Sequence, residues 1–526
     1  MAILNALRLA IKYGAAGFAI YWLLTFAYRL LFHPLSKYPG PIMGKLTDSY
    51  GGWHALKGHL HLITMRNHKK YGPIIRHGPN RLIFSSAKAL HDIYENDRVV
   101  KSNAYLTTLG YTGTINVFSV IDKAAHRPRR QMVGTALTEK AMRAFEPTMT
   151  NEINIFLKVM LETCRSASSA VAVDATQHCR RLGVDIVGQL AFGFPLRTQT
   201  EPTNRFLQEG ITAANKHNNM LIQFPGLNSY VFAYPLHVLT AGPRNEALSF
   251  VERMINMRIK EGIDARQDFL ARVIDQLPKG TDLRHSEVWS EALFLIPAGG
   301  DTTGTTLSAV FFYLSQSPEA YQRLAEEVRS TFTSGADICA GTKLSGCRYL
   351  RACINEALRI SPPVTGTLWR QQDAVDEGPL EIDGHFVPRG THVAVSIFAV
   401  HHNPDYFPEP YAYRPERWLE ADEERLRVMR YAYAPFSLGY RGCGGKAMAY
   451  LETNLVIAKA LWFFDFERAA GEQAKLGGGE PGARDGRNRP DEFQLYDSFT
   501  STHEGPMLRF RPRGDFCEEL DETETE

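Results

Sequence analysis

The stretch "PFSLGYRGCGGKAMAY", residues 435–450, sets a single cysteine among glycines, just after an Arg-Gly pair and just ahead of an apolar run. No second cysteine or histidine lies at zinc spacing from Cys443, and the nearest upstream histidines are His401 and His402. A tetrahedral zinc site built from this stretch is therefore excluded, and no resolving thiol for disulfide exchange sits nearby. Gly439, Gly442, Gly444 and Gly445 let the backbone approach a flat partner and aim N–H groups at the sulfur. The following run, "GKAMAYLETNLVIAKALWFF", predicts a helix whose N-terminus stabilises a thiolate. An inert buried thiol stays open as the alternative.

Four more clusters carry chemistry-bearing side chains. In "AGGDTT", Ala298–Thr303, a glycine pair, a carboxylate and two hydroxyls interrupt an apolar helix. Glycine costs about 1 kcal/mol against alanine there, and Pro297 removes one more helix hydrogen bond. The residues fit either a kinked helix or a widened groove in which Asp301 and Thr302 handle protons beside a ligand. In "CINEALRISPP", Glu356 and Arg359 stand three apart on one helix face. In "HHNPDYFPEPYAYRPERW", Glu416 and Arg417 sit in proline-rich irregular chain whose backbone needs partners if buried. In "AAHRPRRQMVG", His126 and Arg130 lie one turn apart. Together with Arg370 and Arg441 they offer cations to an anionic partner, or simply form an exposed basic face.

The elements that must position these residues are mostly helical. The chain has 526 residues, 44% of them hydrophobic, enough to bury a large core. Helical periodicity dominates and two Gly/Pro-rich patches alternate, which predicts a mainly α fold with small β-sheets. An apolar helix from Glu287 to Leu314 should lie through the centre. A second helix should end at Gly193, and Asp383-Gly384 should turn a hairpin. A net charge of +2 without a basic block argues against nucleic acid. Seven cysteines without a CxxC motif point to reduced thiols.

At the N-terminus, sixteen uncharged residues separate Lys12 from Arg29. With Arg29 snorkelling and Leu30 to Phe32 joining the apolar face, the length suffices for one membrane-spanning helix. Residues 1–34 are thus expected to be an anchor and residues 35–41, with "KYPGP", a stiff hinge. Residues 42–514 should form one domain, and the acidic tail 515–526 should be disordered. The run from Ala469 to Glu492 has few apolar residues and is expected to be a mobile surface loop.

With all five clusters in view, the sequence resembles the cytochrome P-450 haem-thiolate monooxygenases. Phe436, Gly439, Arg441, Cys443 and Gly445 match that family's cysteine loop, and "AGGDTT" matches its oxygen-activation helix. Glu356, Arg359 and Arg417 match its structural triad, while His126 and Arg130 match its cation pair. Order and separations agree from about residue 35 to 515. "YRLLFHPLSKYPGP" is similar to the membrane-anchored fungal branch, often found in secondary metabolism. Gly444 departs from the family, which usually has an apolar residue there.

The resemblance implies a cytochrome P-450 fold preceded by one transmembrane helix, with haem b as cofactor and Cys443 as its axial ligand. Phe436 would shield the sulfur, and Gly439 and Gly445 would shape the loop. Arg441, Arg370, Arg130 and His126 would meet the haem propionates. Ala298 and Gly299 would line the distal groove, and Asp301 and Thr302 would deliver protons. Implied partners are dioxygen, a small apolar substrate and NADPH–cytochrome P-450 reductase, with cytochrome b5 as a further donor; NADPH acts only through the reductase. The acceptor surface would lie around Cys443, with Arg441 and Lys446. The implied location is the endoplasmic reticulum membrane, single-pass, with a cytosolic catalytic domain. The substrate should touch the segment Tyr105 to Phe118, Phe294 and Leu295, Val364 to Leu368, and Phe499 to His503. The rivals are a same-fold isomerase or dehydratase that uses no dioxygen, and a non-catalytic haem-binding protein.

Overall fold

A long apolar segment with few charges becomes the central helix. The computed structural model describes residues 2–110, 113–166, 171–228, 230–261, 268–274 and 287–522. The helices that matter to the site are α1 (Ala2–Ala27), α2 (Lys123–Ala136), α3 (Ala175–Phe192), α4 (Phe206–Gln223), α5 (Tyr230–Glu261), α6 (Glu287–Gln316), α7 (Arg348–Ile360) and α8 (Lys446–Phe463). α6 runs unbroken through Pro297 and buries Leu307, Val310, Phe311 and Phe312 completely, as its all-round apolar pattern requires. α3 ends at Gly193 in the left-handed region, φ 60°, where a side chain would be strained.

The glycines of α6 are explained by α3. A Cβ on Gly183 would lie 2.5 Å from the Gly300 carbonyl oxygen, and one on Gly304 would lie 2.9 Å from the Arg180 Cα. A Cβ on Gly299 would meet Val187 at 2.4 Å. The glycine pair thus lets two helix backbones touch, besides opening the groove. Gly183→Ala should destabilise the fold by roughly 1–3 kcal/mol, because the obstacle is backbone and cannot rotate away. A lowered urea midpoint measures this; an unchanged midpoint would show that the helices separate freely.

Five short strands form the sheet beside the site: β1 (Ile74–Gly78), β2 (Arg81–Phe84), β3 (Val99–Lys101), β4 (Arg370–Gln372) and β5 (His392–Val395). Their order is β1-β2-β5-β4-β3, with β2 and β5 parallel and the other pairs antiparallel. The hairpin at Asp383-Gly384 forms as expected, both residues having positive φ, the requirement of a tight two-residue turn.

α1 continues through a π-helical turn, Tyr28–Phe32. The span Ile3–Phe32 is long and apolar enough to cross a membrane and buries none of its most apolar window in the body. The proline-rich segment after it packs onto the body: Leu35 and Tyr38 are buried, and the Pro39 carbonyl accepts the Arg76 N–H at 2.7 Å. The end of the anchor is also fastened. Arg76 donates to the Arg29 carbonyl at 2.7 Å, Arg29 donates to Leu46 O, and His33 bonds Asn80 at 2.8 Å.

Two segments expected to be loose make definite contacts with the body. Within 469–492, Arg487 is buried, donates to Gly58 O and Leu495 O, and stacks over Tyr496. Backbone bonds and one buried cation organise this run in place of apolar side chains. In the acidic tail, Glu518–Glu522 form a short helical segment. Cys517 and Leu520 bury, Arg165 pairs with Asp521 at 2.7 Å, and Glu519 accepts the Gly335 N–H. Burial of Cys517 and Leu520 holds this short segment to the body; residues 523–526 lie outside the described residues.

Candidate active site

Cys443 lies on a loop that its own geometry fixes. Its N–H donates to Phe436 O at 2.8 Å. Gly439 has φ +67°, and a Cβ there would come within 2.1 Å of the Tyr94 carbonyl oxygen. Only glycine meets both demands. The thiol is exposed, but into an internal cavity of 240 Å³. Burial pushes its pKa up, while the N–H groups of Gly445 and Lys446 and the charges of Arg130 and Lys446 pull it down. The N–H groups at the start of α8 thus oppose the effect of burial without overcoming it.

The same cavity is lined by Phe436 and Gly445 beside Cys443, and by Ala298, Gly299, Thr302 and Thr303 from α6. Thr302 donates its hydroxyl to Ala298 O at 2.8 Å, which leaves its oxygen free to accept. Asp301 sits behind this wall, 3% exposed. One carboxylate oxygen accepts from Arg180 at 2.9 and 3.2 Å. The other lies 3.3 Å from Asn215 and 3.4 Å from Thr500. Asn215 and Thr500 line an adjoining chamber, and the Arg180 side chain is 18% exposed.

Three cations gather at the cavity. Lys101 and Arg370 are directly opposite on β3 and β4, a register in which like charges repel. Arg370 lies over the Tyr94 ring and donates to Trp369 O. Arg441 donates to Val120 O and Ile121 O, each at 2.7 Å, and its buried Nε has no partner. Lys101 donates to Phe118 O, and burial, followed by Arg370 and Arg441, drives its pKa well below the lysine value. Among the described residues no carboxylate pairs with any of the three. Glu452, also in the wall, is pushed up to about 8 by burial and is neutral at pH 7.

The other expected cations behave differently. His126 is buried edge-on to Tyr440, and burial, with Arg441 and Lys101, lowers its pKa to about 3. It stands in the cation pair's position as a neutral ring. Arg130 packs against Gly444, where a Cβ would lie 2.8 Å from its Nη1. The unusual glycine thus makes room for a guanidinium beneath the cysteine loop.

The triad is fully assembled. Arg359 donates to Glu356 at 2.8 and 3.0 Å, Arg417 at 2.9 Å, and Trp418 Nε1 at 2.9 Å. Arg359 also donates to His401 O and Pro410 O. Glu356 and Arg359 are completely buried, so only such a paired network is affordable.

On the outer face, a groove lined by Arg351, Gly444, Lys446 and Tyr450 opens beside the cysteine loop. Lys446 is exposed there, whereas Arg441 is occupied with the Val120 and Ile121 carbonyls. Of the expected substrate contacts, Tyr105, Phe118, Val364, Leu368 and Phe499 line the first cavity, and Phe294 and Thr500 the second. His503 is instead bonded to Thr176, and Leu295 packs into the core. Tyr111 and Thr112 lie outside the described residues.

Lys101, Arg180 and Asn215 were not singled out in the sequence. A lone lysine in "VVKS" and an arginine on the apolar face of "CRRLG" were the available signals.

Residues 34–477 match the family model Cytochrome P450, and the chain belongs to that family. It is 35% identical over 516 residues to the cytochrome P450 monooxygenase poxM of Penicillium oxalicum, covering 97% of this chain and 96% of that protein. It is also 34% identical to the cytochrome P450 monooxygenases atnE of Emericella nidulans and AKT7 of Alternaria alternata. Each match covers 92% of this chain and 93% or 94% of the relative. The family implies haem b, and the residues fit that group. A thiol opens into the cavity, three cations lack a carboxylate, and the Arg441 Nε has no partner.

Proposed function

We propose that this chain is a haem-thiolate monooxygenase that puts one atom of dioxygen into a C–H or C=C bond of a small molecule, within fungal secondary metabolism. The observation that carries this reading is that the Cys443 thiol and the Thr302 hydroxyl share one cavity, backed by a buried acid with a route to solvent. The fungal relatives, each named a cytochrome P450 monooxygenase, support it.

Cys443 would hold the haem iron from below, and Lys101, Arg370 and Arg441 would neutralise the propionates. When bound, the haem supplies dioxygen activation and substrate oxidation. The overall balance is R–H + O2 + 2 electrons + 2 protons → R–OH + H2O. Both electrons come from NADPH–cytochrome P-450 reductase, or the second from cytochrome b5, across the groove at Lys446.

The protein's part is to move the two protons. Asp301 is shared between Arg180 on the solvent side and Asn215 and Thr500 on the cavity side. Release of the Arg180 pair would let the carboxylate take a proton from outside and turn it inward. Thr302, its own hydroxyl hydrogen committed to Ala298 O, accepts a hydrogen bond from a water and holds that donor in the cavity. We further assign the chain to the endoplasmic reticulum membrane with its catalytic body in the cytosol, supported by the exposed apolar α1.

Product formed under labelled dioxygen should carry one labelled atom; product without label would sink the reading in favour of an isomerase or dehydratase. Thr302→Ala should leave haem binding intact while shifting NADPH consumption from product toward peroxide. With proton delivery worth roughly 10²–10⁴-fold, a drop in product per NADPH should be plain; unchanged coupling would remove Thr302 from this role.

A further inference from the structure

Helix α2 meets the cysteine loop at two points one turn apart. His126 faces Tyr440 edge-on with 5.9 Å between ring centroids, and Arg130 packs against Gly444. A Cβ on Gly444 would lie 2.8 Å from the Arg130 Nη1, 3.4 Å from its Cζ and 3.7 Å from its Nη2. The guanidinium fork therefore occupies the space that a side chain at 444 would fill. Residues four apart on a helix share one face, so the His126 contact holds Arg130 at this end of the loop. Arg130 is not in the cavity wall that holds Lys101, Arg370 and Arg441.

The arrangement sets a permanent charge beside the sulfur, because a guanidinium stays ionised at every accessible pH. Of the two side-chain cations that act on the Cys443 sulfur, Lys446 is exposed and Arg130 is half-buried. Solvent and salt screen the first far more than the second. A cation near a ligating thiolate holds electron density on the sulfur, and groups around a metal ligand tune the metal's potential. An apolar side chain at 444 would fill the space and turn the guanidinium away.

We propose that Gly444 and Arg130 form one device. The glycine admits the guanidinium beneath the cysteine loop, where its charge weakens electron donation by the Cys443 thiolate and favours the reduced haem iron. Arg130 acts through Cys443 rather than on the substrate, and it leaves the set of propionate partners that the sequence pattern implied. The inference rests on the haem-thiolate reading above.

The test is a redox titration of the full-length, haem-loaded protein in phosphatidylcholine nanodiscs, with the ferric and ferrous forms followed by absorbance. Arg130→Met should lower the ferrous-to-ferric ratio at a given potential roughly 3- to 30-fold, tenfold being about 59 mV for a one-electron couple. Gly444→Leu should shift the ratio in the same direction. The new side chain meets the flexible end of Arg130 rather than backbone, so the loop should survive it. Gly444→Ala makes the same test with a smaller change should leucine prevent haem loading. Arg130→Lys should keep part of the native ratio. The double variant should shift no further than Arg130→Met alone, since coupled residues do not add. An unchanged ratio in Arg130→Met overturns the proposal, and so does a double variant whose shift is the sum of the two singles. Loss of haem in Arg130→Met with a native ratio in Gly444→Leu returns Arg130 to the propionates and overturns it as well. The carbon monoxide spectrum of the same reduced samples separates the two levels. A thiolate-type band with unshifted ratios sinks this inference alone, and absence of the band in the native protein sinks the reading beneath it.

Discussion

Cys443→Ala should abolish the thiolate-type Soret band of the reduced, carbon monoxide-bound protein, together with all monooxygenase activity. The expectation follows from the surroundings of the sulfur. No other cysteine lines the cavity; Cys179, Cys353 and Cys517 are buried elsewhere, and burial raises the thiol pKa of each. Among the described residues no histidine lines it either, so alanine at 443 leaves that wall without a ligand of comparable strength. The loop itself should survive the change, because Cys443 contributes its N–H to Phe436 O and Gly439 sets the turn. Far-ultraviolet circular dichroism should therefore be unchanged. A persisting thiolate band would show that the axial ligand lies elsewhere.

The second large effect is at Glu356. Glu356→Ala would leave Arg359 and Arg417 buried without their carboxylate and strip Trp418 Nε1 of its acceptor. Breaking a buried ion pair from one side costs about 3–5 kcal/mol, a large part of the roughly 5–15 kcal/mol that holds a protein folded. The variant should express poorly and fail to retain haem. Glu356→Gln keeps the shape but donates where it must accept, and should lie between.

The pH dependence of this site has a definite sign. Burial raises the Glu356 pKa, but Arg359 and Arg417 overcome it and hold the carboxyl below its usual 4.5. Its contribution to stability is therefore complete above about 4.5, the value in the unfolded chain, and is lost as pH falls from there through the folded value. Urea midpoints should decline with acidification in the native protein and decline less in Glu356→Gln. An equal decline in both would assign the acid sensitivity to other carboxylates.

What the sequence disclosed depended on whether the information was local. The cysteine loop, the acid–alcohol helix and the Glu–x–x–Arg helix each keep their chemistry within a few residues, so type and spacing sufficed. The partners that complete them come from distant chain. Lys101 faces Arg370 across a ladder whose strands are more than 260 residues apart, and Asp301 draws Arg180, Asn215 and Thr500 from three other segments. Gly444 stood out only as a departure from the family because its neighbour, Arg130, lies more than 300 residues away. The tail looked soluble and loose because two apolar side chains, Cys517 and Leu520, among many charges leave only a faint local mark.

The fastening of α1 to the body, through Arg29, His33 and Arg76, has a mechanical meaning once α1 stands in a bilayer. The enzyme is planted like a post rather than moored on a rope. It is free to spin about the membrane normal but not to nod or lift away, so the height of its cavity above the lipid is set by the fold. Under the proposed reaction, a membrane-held electron donor would then meet the Lys446 groove by sliding in two dimensions.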